Sequence, residues 1–278
     1  MDDLFRAEVN RRAIEAAFER AKDQGVTPPE TLEVFMAFCG KQQLHFISDE
    51  IYAKSVFASP TASNPRPFVS SLTLKTCGVI DPKLVHVLYG ASKDFCANGL
   101  RLGLVYTRND GILSALSSIS IFSWSPHITQ DVWAAMLEDR QWLRSFMSKK
   151  NSLMTESYNL ATEFLHAHGI RYSEMNASLF IWVDLRHLLM PQSSHRESGC
   201  TALRDISPEG TMYRKRELRI AEICTKNGVM TAPGSVYLPE EYGWFRITFT
   251  VGKGVLQEGL DRLWKSIVMV ESEKREWE

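Results

Sequence analysis

The chain has 278 residues, 44% of them hydrophobic and 23% charged, with 32 Lys and Arg against 33 Asp and Glu. At roughly 100 to 200 residues per domain, that length holds one large or two modest domains, each able to bury its own core without disulfide staples. A formal net charge of −1 argues against a general polyanion binder, because binding by counterion release needs basic residues in surplus on one face.

Taken in chain order, Leu4, Phe5, Val9, Ile14, Ala17 and Phe18 recur among charged residues at near-helical spacing and predict an amphipathic helix. Thr27, Pro28 and Glu30 form a T-x-x-E capping pattern that opens a second helix carrying Leu32, Val34, Phe35 and Phe38 and ending at Gly40. The short apolar run from Leu44 to Ile47 predicts a buried strand, and the Pro-, Ser- and Asn-rich stretch 59–67 a surface loop. Two more strands follow, LVHVLYG and then LGLVYT from Leu102 to Thr107, the second ending in the turn-like RNDG. Helices alternating with short buried strands predict an α/β layer with a mostly parallel sheet. From Pro126 to about His168 helical periodicity dominates, and a domain boundary is expected near residue 130. Beyond it, SLFIWVDL, a polar loop, KRELRIAEICTKNG, WFRITFT and VLQEGLDRLWKSIVMVE predict a smaller α+β domain.

The five cysteines, Cys39, Cys77, Cys96, Cys200 and Cys224, are scattered without C-x-x-C spacing or nearby histidine ligands. They read as reduced thiols of a cytoplasmic protein. No stretch approaches the about 18 apolar residues of a membrane span, and the charged N-terminus lacks a signal-peptide pattern. Neither nucleic acid, membrane nor metal is an expected partner.

Four polar clusters lie at strand ends, where open α/β sheets place their ligands. In Ser48-Asp49-Glu50-Ile51-Tyr52 a partly desolvated carboxylate would favour a cationic partner; the plainer reading is a capping Asp beside a solvated Glu. In Tyr89-Gly90-Ala91-Ser92-Lys93-Asp94 a lysine in a glycine-containing turn can approach a cofactor, and shielding from water favours the neutral amine that condenses with a carbonyl. Arg101, on the same segment, could hold a phosphate bidentately, although Lys93 taken alone reads first as a surface lysine. In Trp244-Phe245-Arg246 the arginine must find an anion or reach water, which points to a substrate carboxylate or, equally, a structural salt bridge. His166-Ala167-His168-Gly169 reads as a helix end. The lysine segment lacks the final glycine of G-x-S-x-G, and neither a phosphate-loop nor a dinucleotide G-x-G-x-x-G pattern is present, which weakens hydrolase, nucleotidase and dehydrogenase readings.

Together these segments resemble the class I/II aminotransferases, pyridoxal phosphate enzymes of the aspartate-aminotransferase fold, and most nearly the branch containing 1-aminocyclopropane-1-carboxylate synthase. FISDEIYAKSVF and YGASKDFCANGLRLG carry the resemblance, supported by NASLFIWVDL, APGSVY and WFRITFT, so that it covers nearly the whole chain. It implies an α/β fold in which residues 1–130 are an incomplete cofactor-binding large domain and 131–278 an interdomain helix and a small domain. It also implies pyridoxal 5'-phosphate as cofactor, an amino acid and a keto acid as small-molecule partners, and a homodimer.

Carried over residue by residue, Lys93 matches the Schiff-base lysine and proton shuttle, Asp49 the carboxylate facing the pyridine nitrogen, and Tyr52 the phenol donating to the 3′-oxygen. Arg101, with Ser92, matches the phosphate contacts, and Arg246 the clamp on the α-carboxylate. The expected activity is transamination through Lys93. A synthase-type lyase reaction uses the same residues, and a catalytically impaired aminotransferase-like fragment is the alternative from another class. Gly90 stands where the family usually has a phosphate-binding serine. The junction Lys22–Pro29 has no counterpart of the family's strand and N-P-x-x-P-x-G turn, and the phosphate-cradling N-terminal loop has none either. The chain therefore resembles the C-terminal two-thirds of such an enzyme with an internal deletion.

Overall fold

The computed structural model describes residues 28–62, 65–189, 208–237 and 241–274. The helix predicted over Leu4–Phe18, Thr27 of the capping pattern, Cys200 and most of the polar loop lie outside these residues. The chain divides into two units, Met1–Val56 with Arg66–Phe146, and Phe57–Pro65 with Met147–Glu278.

In the first unit α1, Pro28–Gln42, leads into β1, Phe46–Asp49, followed by β2, Val85–Gly90, and β3, Gly103–Thr107. These strands form a sheet in the order β1-β2-β3. β1 and β2 pair in parallel, with Phe46 opposite Val85 and Asp49 opposite Leu88. β2 and β3 pair antiparallel, with Gly90 opposite Gly103, so the sheet is mixed. The connection 91–102 holds only turns and a short 3-10 helix, whereas a parallel return needs a crossover, usually a full helix.

Gly40 does not end α1. The helix runs on to Gln42 and closes at Gln43, whose φ of 54° is left-handed. A Cβ on Gly40 would lie 2.0 Å from the Val79 carbonyl oxygen, so the glycine admits a close backbone approach inside the helix. That approach seals a small core of Met36, Ile80 and Val85.

α2, Asp110–Ser123, which the sequence reading passed over, α3, His127–Glu138, and the start of α4, Arg140–Ala167, complete the first unit. Contrary to the buried strand expected at 102–107, β3 leaves Leu104, Val105 and Tyr106 exposed, and α2 exposes Ile119, Ile121 and Phe122. Leu102, just before β3, is the residue of that run that is buried.

The second unit holds most of α4 together with β4, Arg171–Tyr172; β5, Phe180–Asp184; α5, Pro208–Lys226; β6, Ala232–Pro233; β7, Trp244–Thr248; and α6, Lys253–Lys274. Its antiparallel sheet runs β4-β5-β7-β6. Alternation decides the faces: Ile181, Val183, Phe245 and Ile247 are buried, while Phe180, Trp182, Trp244 and Arg246 line the half-exposed side. Tyr158 and Leu165 of α4, Ile220 of α5, and Leu263 and Ile267 of α6 join the buried face, each such side chain contributing about 1.5–3 kcal/mol. His168 stacks on Phe164 beyond the end of α4, and Gly169, φ 65°, turns the chain, as the helix-end reading required. No helix among the described residues is long and apolar enough to cross a membrane.

One polar contact ties the first sheet together away from its glycine end. Buried His86 of β2 meets His45 Nδ1 through Nε2 at 2.7 Å and Thr107 Oγ1 of β3 through Nδ1 at 2.7 Å. One imidazole must accept the shared hydrogen, so the pair is lost when both rings are protonated. Burial first, and then the His45 charge, hold His86 below the usual histidine value. Below about pH 6.5 the unfolded chain therefore binds more protons, and stability present above that pH is lost as pH falls. The thermal midpoint should drop between about pH 7 and pH 5, with a flatter profile in His86→Gln. An identical slope in the variant would assign the effect to other groups.

Candidate active site

Parallel pairing sets the carboxyl ends of β1 and β2 side by side, so the segments 50–56 and 91–97 leave from the same sheet edge. Strand ends of this kind are where open α/β sheets build ligand sites. The two carboxylates after β1 are divided by the alternation of the strand. Asp49 is exposed, and one of its oxygens accepts the Ile51 N–H at 3.2 Å. Glu50 is buried; its Oε1 accepts from the Ser71 N–H at 2.9 Å, the Ser71 hydroxyl at 3.0 Å and the Ser48 hydroxyl at 3.1 Å. The plainer sequence reading, a helix-capping Asp with a solvated Glu, fails on both counts: Asp49 accepts from Ile51 in a turn that no helix follows, and Glu50 is buried. The second carboxylate is structural, its charge compensated by three donors.

The loop after β2 turns on Asp94, which is fully buried. Its Oδ2 accepts the Lys54 N–H at 2.8 Å and the Tyr89 hydroxyl at 2.9 Å, and its Oδ1 the Ser55 hydroxyl at 2.7 Å. Burial, followed by the neighbouring Asp94 charge, pushes the Tyr89 phenol well above its ordinary value and keeps it a donor. Asp94 therefore binds the turn that carries Tyr52 to the loop that carries Lys93. The half-buried Lys93 amine lies 5.9 Å from the centroid of the Tyr52 ring. Among the described residues the structure gives no hydrogen-bond or ionic partner to Lys93 Nζ, to the Tyr52 hydroxyl, to the Ser92 hydroxyl or to the second Asp49 oxygen.

Arg101 is exposed, with φ 53°, and one guanidinium N–H donates to the Asn98 carbonyl at 3.1 Å. The Ser125 hydroxyl donates to the Arg101 carbonyl at 2.9 Å. Asp49, Tyr52, Ser92, Lys93 and Arg101 all belong to the first unit, and Arg246 to the second. There the Arg246 guanidinium is stacked by the rings of Phe180 at 3.9 Å and Tyr237 at 4.2 Å, and no carboxylate among the described residues pairs with it. The structural salt bridge allowed by the sequence is instead found at Arg186, which donates to Asp184 at 2.9 and 2.8 Å.

Sequence reasoning missed the anchors Glu50, Tyr89, Asp94 and Glu217. Glu217, fully buried on α5, accepts the N–H groups of Ser235 at 3.2 Å and Gly243 at 3.0 Å. Asp94 and Tyr89 sat inside the quoted lysine segment, and only burial distinguishes them from solvated neighbours.

Residues 25–263, which span all six proposed site residues, match the family model for aminotransferase class I and II. The chain belongs to the class I and II aminotransferase family. It is 28% identical over 271 residues to 1-aminocyclopropane-1-carboxylate synthase-like protein 1 of Arabidopsis thaliana, covering 92% of this chain and 51% of that protein. It is 31% identical over 263 residues to 1-aminocyclopropane-1-carboxylate synthase 1 of Oryza sativa subsp. indica, covering 90% and 48%.

Among solved structures it resembles the aspartate aminotransferase of Thermus thermophilus with maleate, with TM-score 0.65 and 20% identity over 87% of this chain and 53% of that one. It also resembles an aromatic aminotransferase from Pyrococcus horikoshii OT3, with TM-score 0.66 and 18% identity over 90% and 57%. These two likenesses establish the fold. As an aminotransferase-family chain it spans about half the length of the relatives it matches, less than the two-thirds expected from sequence.

Gly90, where the family usually has serine, has a steric cause in this chain. A Cβ there would lie 2.7 Å from the Leu102 carbonyl oxygen and 3.3 Å from Gly103 Cα, across the β2–β3 pairing. Gly90→Ser should cost about 1–3 kcal/mol of stability in denaturant unfolding, because backbone must move. Asp94→Ala, which removes the acceptor of three donors, should cost on the order of 3 kcal/mol, and Asp94→Asn clearly less. An alanine variant as stable as the parent would deny Asp94 its anchoring role.

Proposed function

We propose that this chain acts on an amino acid with pyridoxal 5'-phosphate as cofactor, most simply by transamination, with Lys93 as the catalytic residue. The observation that carries the reading is one sheet edge bearing an amine, a phenol and a carboxylate, Lys93, Tyr52 and Asp49, each with hydrogen-bonding capacity to spare among the described residues. That donor set fits the cofactor: an amine for its aldehyde, a carboxylate for its ring nitrogen and a phenol for its ring oxygen. Ser92 and the free edge of Arg101 would hold the phosphate, with one hydroxyl fewer than the family pattern because of Gly90.

When bound, the cofactor supplies a protonated ring that withdraws electrons from the substrate α-carbon. Asp49 keeps the proton on the ring nitrogen, and Tyr52 donates to the ring oxygen. Lys93 Nζ would take the α-proton of the substrate as base and, as acid, deliver it to the carbon that the cofactor brings in as its aldehyde, which is the net proton shift transamination requires. Arg246 grips the α-carboxylate through paired N–H groups. Under this reading residues 1–130 belong to the cofactor-binding part, residues 131–278 form the interdomain helix and small domain, and the protein works as a cytoplasmic homodimer.

Similarity to the synthases favours a second outcome at the same site, elimination from the same α-carbanion in place of transamination. The loss of the phosphate hydroxyl at Gly90 favours a weaker grip on the cofactor than the family pattern provides, the extreme case being a catalytically impaired aminotransferase-like fragment.

Added pyridoxal phosphate should give a visible absorbance band, and borohydride should fix the cofactor on the peptide containing Lys93. Lys93→Ala should lose both signals. Asp49→Ala should weaken binding by about tenfold or more while leaving the fixed adduct at Lys93. No band and no adduct in the parent protein would remove the catalytic reading and leave the fragment reading in its place.

A further inference from the structure

Arg246 is held by its surroundings in a way that bears on what it can bind. It lies mid-strand on β7, between Trp182 of β5 on one side and Ala232 of β6 on the other. The opposite side of the same strand faces a closed apolar core, so the guanidinium has only the half-exposed side of the sheet to occupy. There its central carbon stands 3.9 Å from the Phe180 ring centroid and 4.2 Å from that of Tyr237.

Tyr237 is itself fixed. Its N–H donates to the Gly234 carbonyl at 2.7 Å, and its ring meets Trp182 edge-on at 5.7 Å. Buried Glu217 holds the N–H groups of Ser235 and Gly243 on either side of it. The cation therefore sits against aromatic faces on a braced turn, with no acidic neighbour among the described residues.

A guanidinium is planar, and its five N–H groups point outward in that plane. Stacked rings cover the faces, where no hydrogen bond could form in any case, and they strip water from them. What stays available is the edge, whose paired N–H groups match the two oxygens of a carboxylate. A tetrahedral oxyanion can use the same edge, but its remaining oxygens project out of the plane toward the rings and lose water without gaining donors.

We propose that Phe180 and Tyr237 are positioning residues that hold Arg246 edge-on, so that this site selects a planar carboxylate over a tetrahedral oxyanion. The inference rests on the reading of Arg246 as the substrate-carboxylate clamp and adds the two rings that give the clamp its selectivity.

The test uses the whole chain without cofactor, titrated with propionate and separately with inorganic sulfate. Binding is followed by the Arg246 Nε–H resonance and by tryptophan fluorescence. The parent protein should bind propionate more tightly than sulfate. Tyr237→Leu should weaken propionate about tenfold and bring the two anions close to parity, whereas Tyr237→Phe, which keeps the ring, should behave as the parent. Phe180→Leu should act in the same direction as Tyr237→Leu, with circular dichroism confirming the fold of each variant.

If Arg246→Lys abolishes the preference but Tyr237→Leu and Phe180→Leu keep it, the rings do not position the clamp and this inference fails while the clamp stands. If the parent binds no propionate, or Arg246→Lys binds it unchanged, the clamp reading itself is overturned.

Discussion

The candidate site depends on one buried carboxylate. Asp94 collects donors from the end of β2, through the Tyr89 hydroxyl, and from the turn after β1, through Lys54 and Ser55. It thereby joins two loops that leave neighbouring strands. A charge without exposure is tolerated when its oxygens are filled, and here both oxygens are occupied. Because Asp94 directly follows Lys93, and Lys54 and Ser55 lie two and three residues after Tyr52, fixing the carboxylate also fixes the meeting of amine and phenol at the sheet edge. Lys93, Tyr52 and Asp49 thereby stay available, while Glu50 and Asp94 carry the structure.

How much of this was legible follows from what a pattern can encode. The strands at 85–90, 180–184 and 244–248 stood out because short apolar runs between polar turns report burial, whereas the run from Leu44 to Ile47 gave a strand that is not buried, with Ile47 exposed; the order of S-D-E-I-Y, S-K-D and W-F-R pointed to the family. The division of labour between adjacent carboxylates did not stand out. Asp49 and Glu50 are chemically alike, and which one is buried depends on Ser71, whose donors arrive from a segment distant in sequence. Gly40 misled for a related reason. A glycine near a helix end is commonly a C-cap, but here the constraint is the Val79 carbonyl, which no local pattern reveals. The serine-rich stretch 110–123 gave weak helical signal, yet Asn109, accepting the Ile112 N–H at 3.0 Å, starts the helix from outside it.

The two units differ in how completely their side chains are used. The second covers one face of its sheet with three helices and buries aromatic and aliphatic side chains throughout. The first has a buried cluster of Met36, Ile80 and Val85, with Val87, Ala91, Phe95 and Leu102 also buried, and leaves Leu104, Val105, Tyr106, Ile119, Ile121 and Phe122 in contact with water. Apolar groups at that density usually lie against a partner surface.

Two arginines on the second unit's sheet region show how a clamp differs from a strut. Arg186 donates to Asp184 and Glu241, and its guanidinium also stacks on Trp244 at 5.1 Å, so that charge and donors are spent inside the protein. Those hydrogen bonds to Asp184, set against the loss of water, hold the Arg186 guanidinium even further above its ordinary value. Arg246, two residues along the strand from Trp244, has rings and no carboxylate among the described residues. A structural arginine satisfies its own donors; one kept against aromatic faces retains its hydrogen-bonding edge for a partner that comes from outside the chain. The contrast between these neighbours favours the binding reading of Arg246 over the structural one.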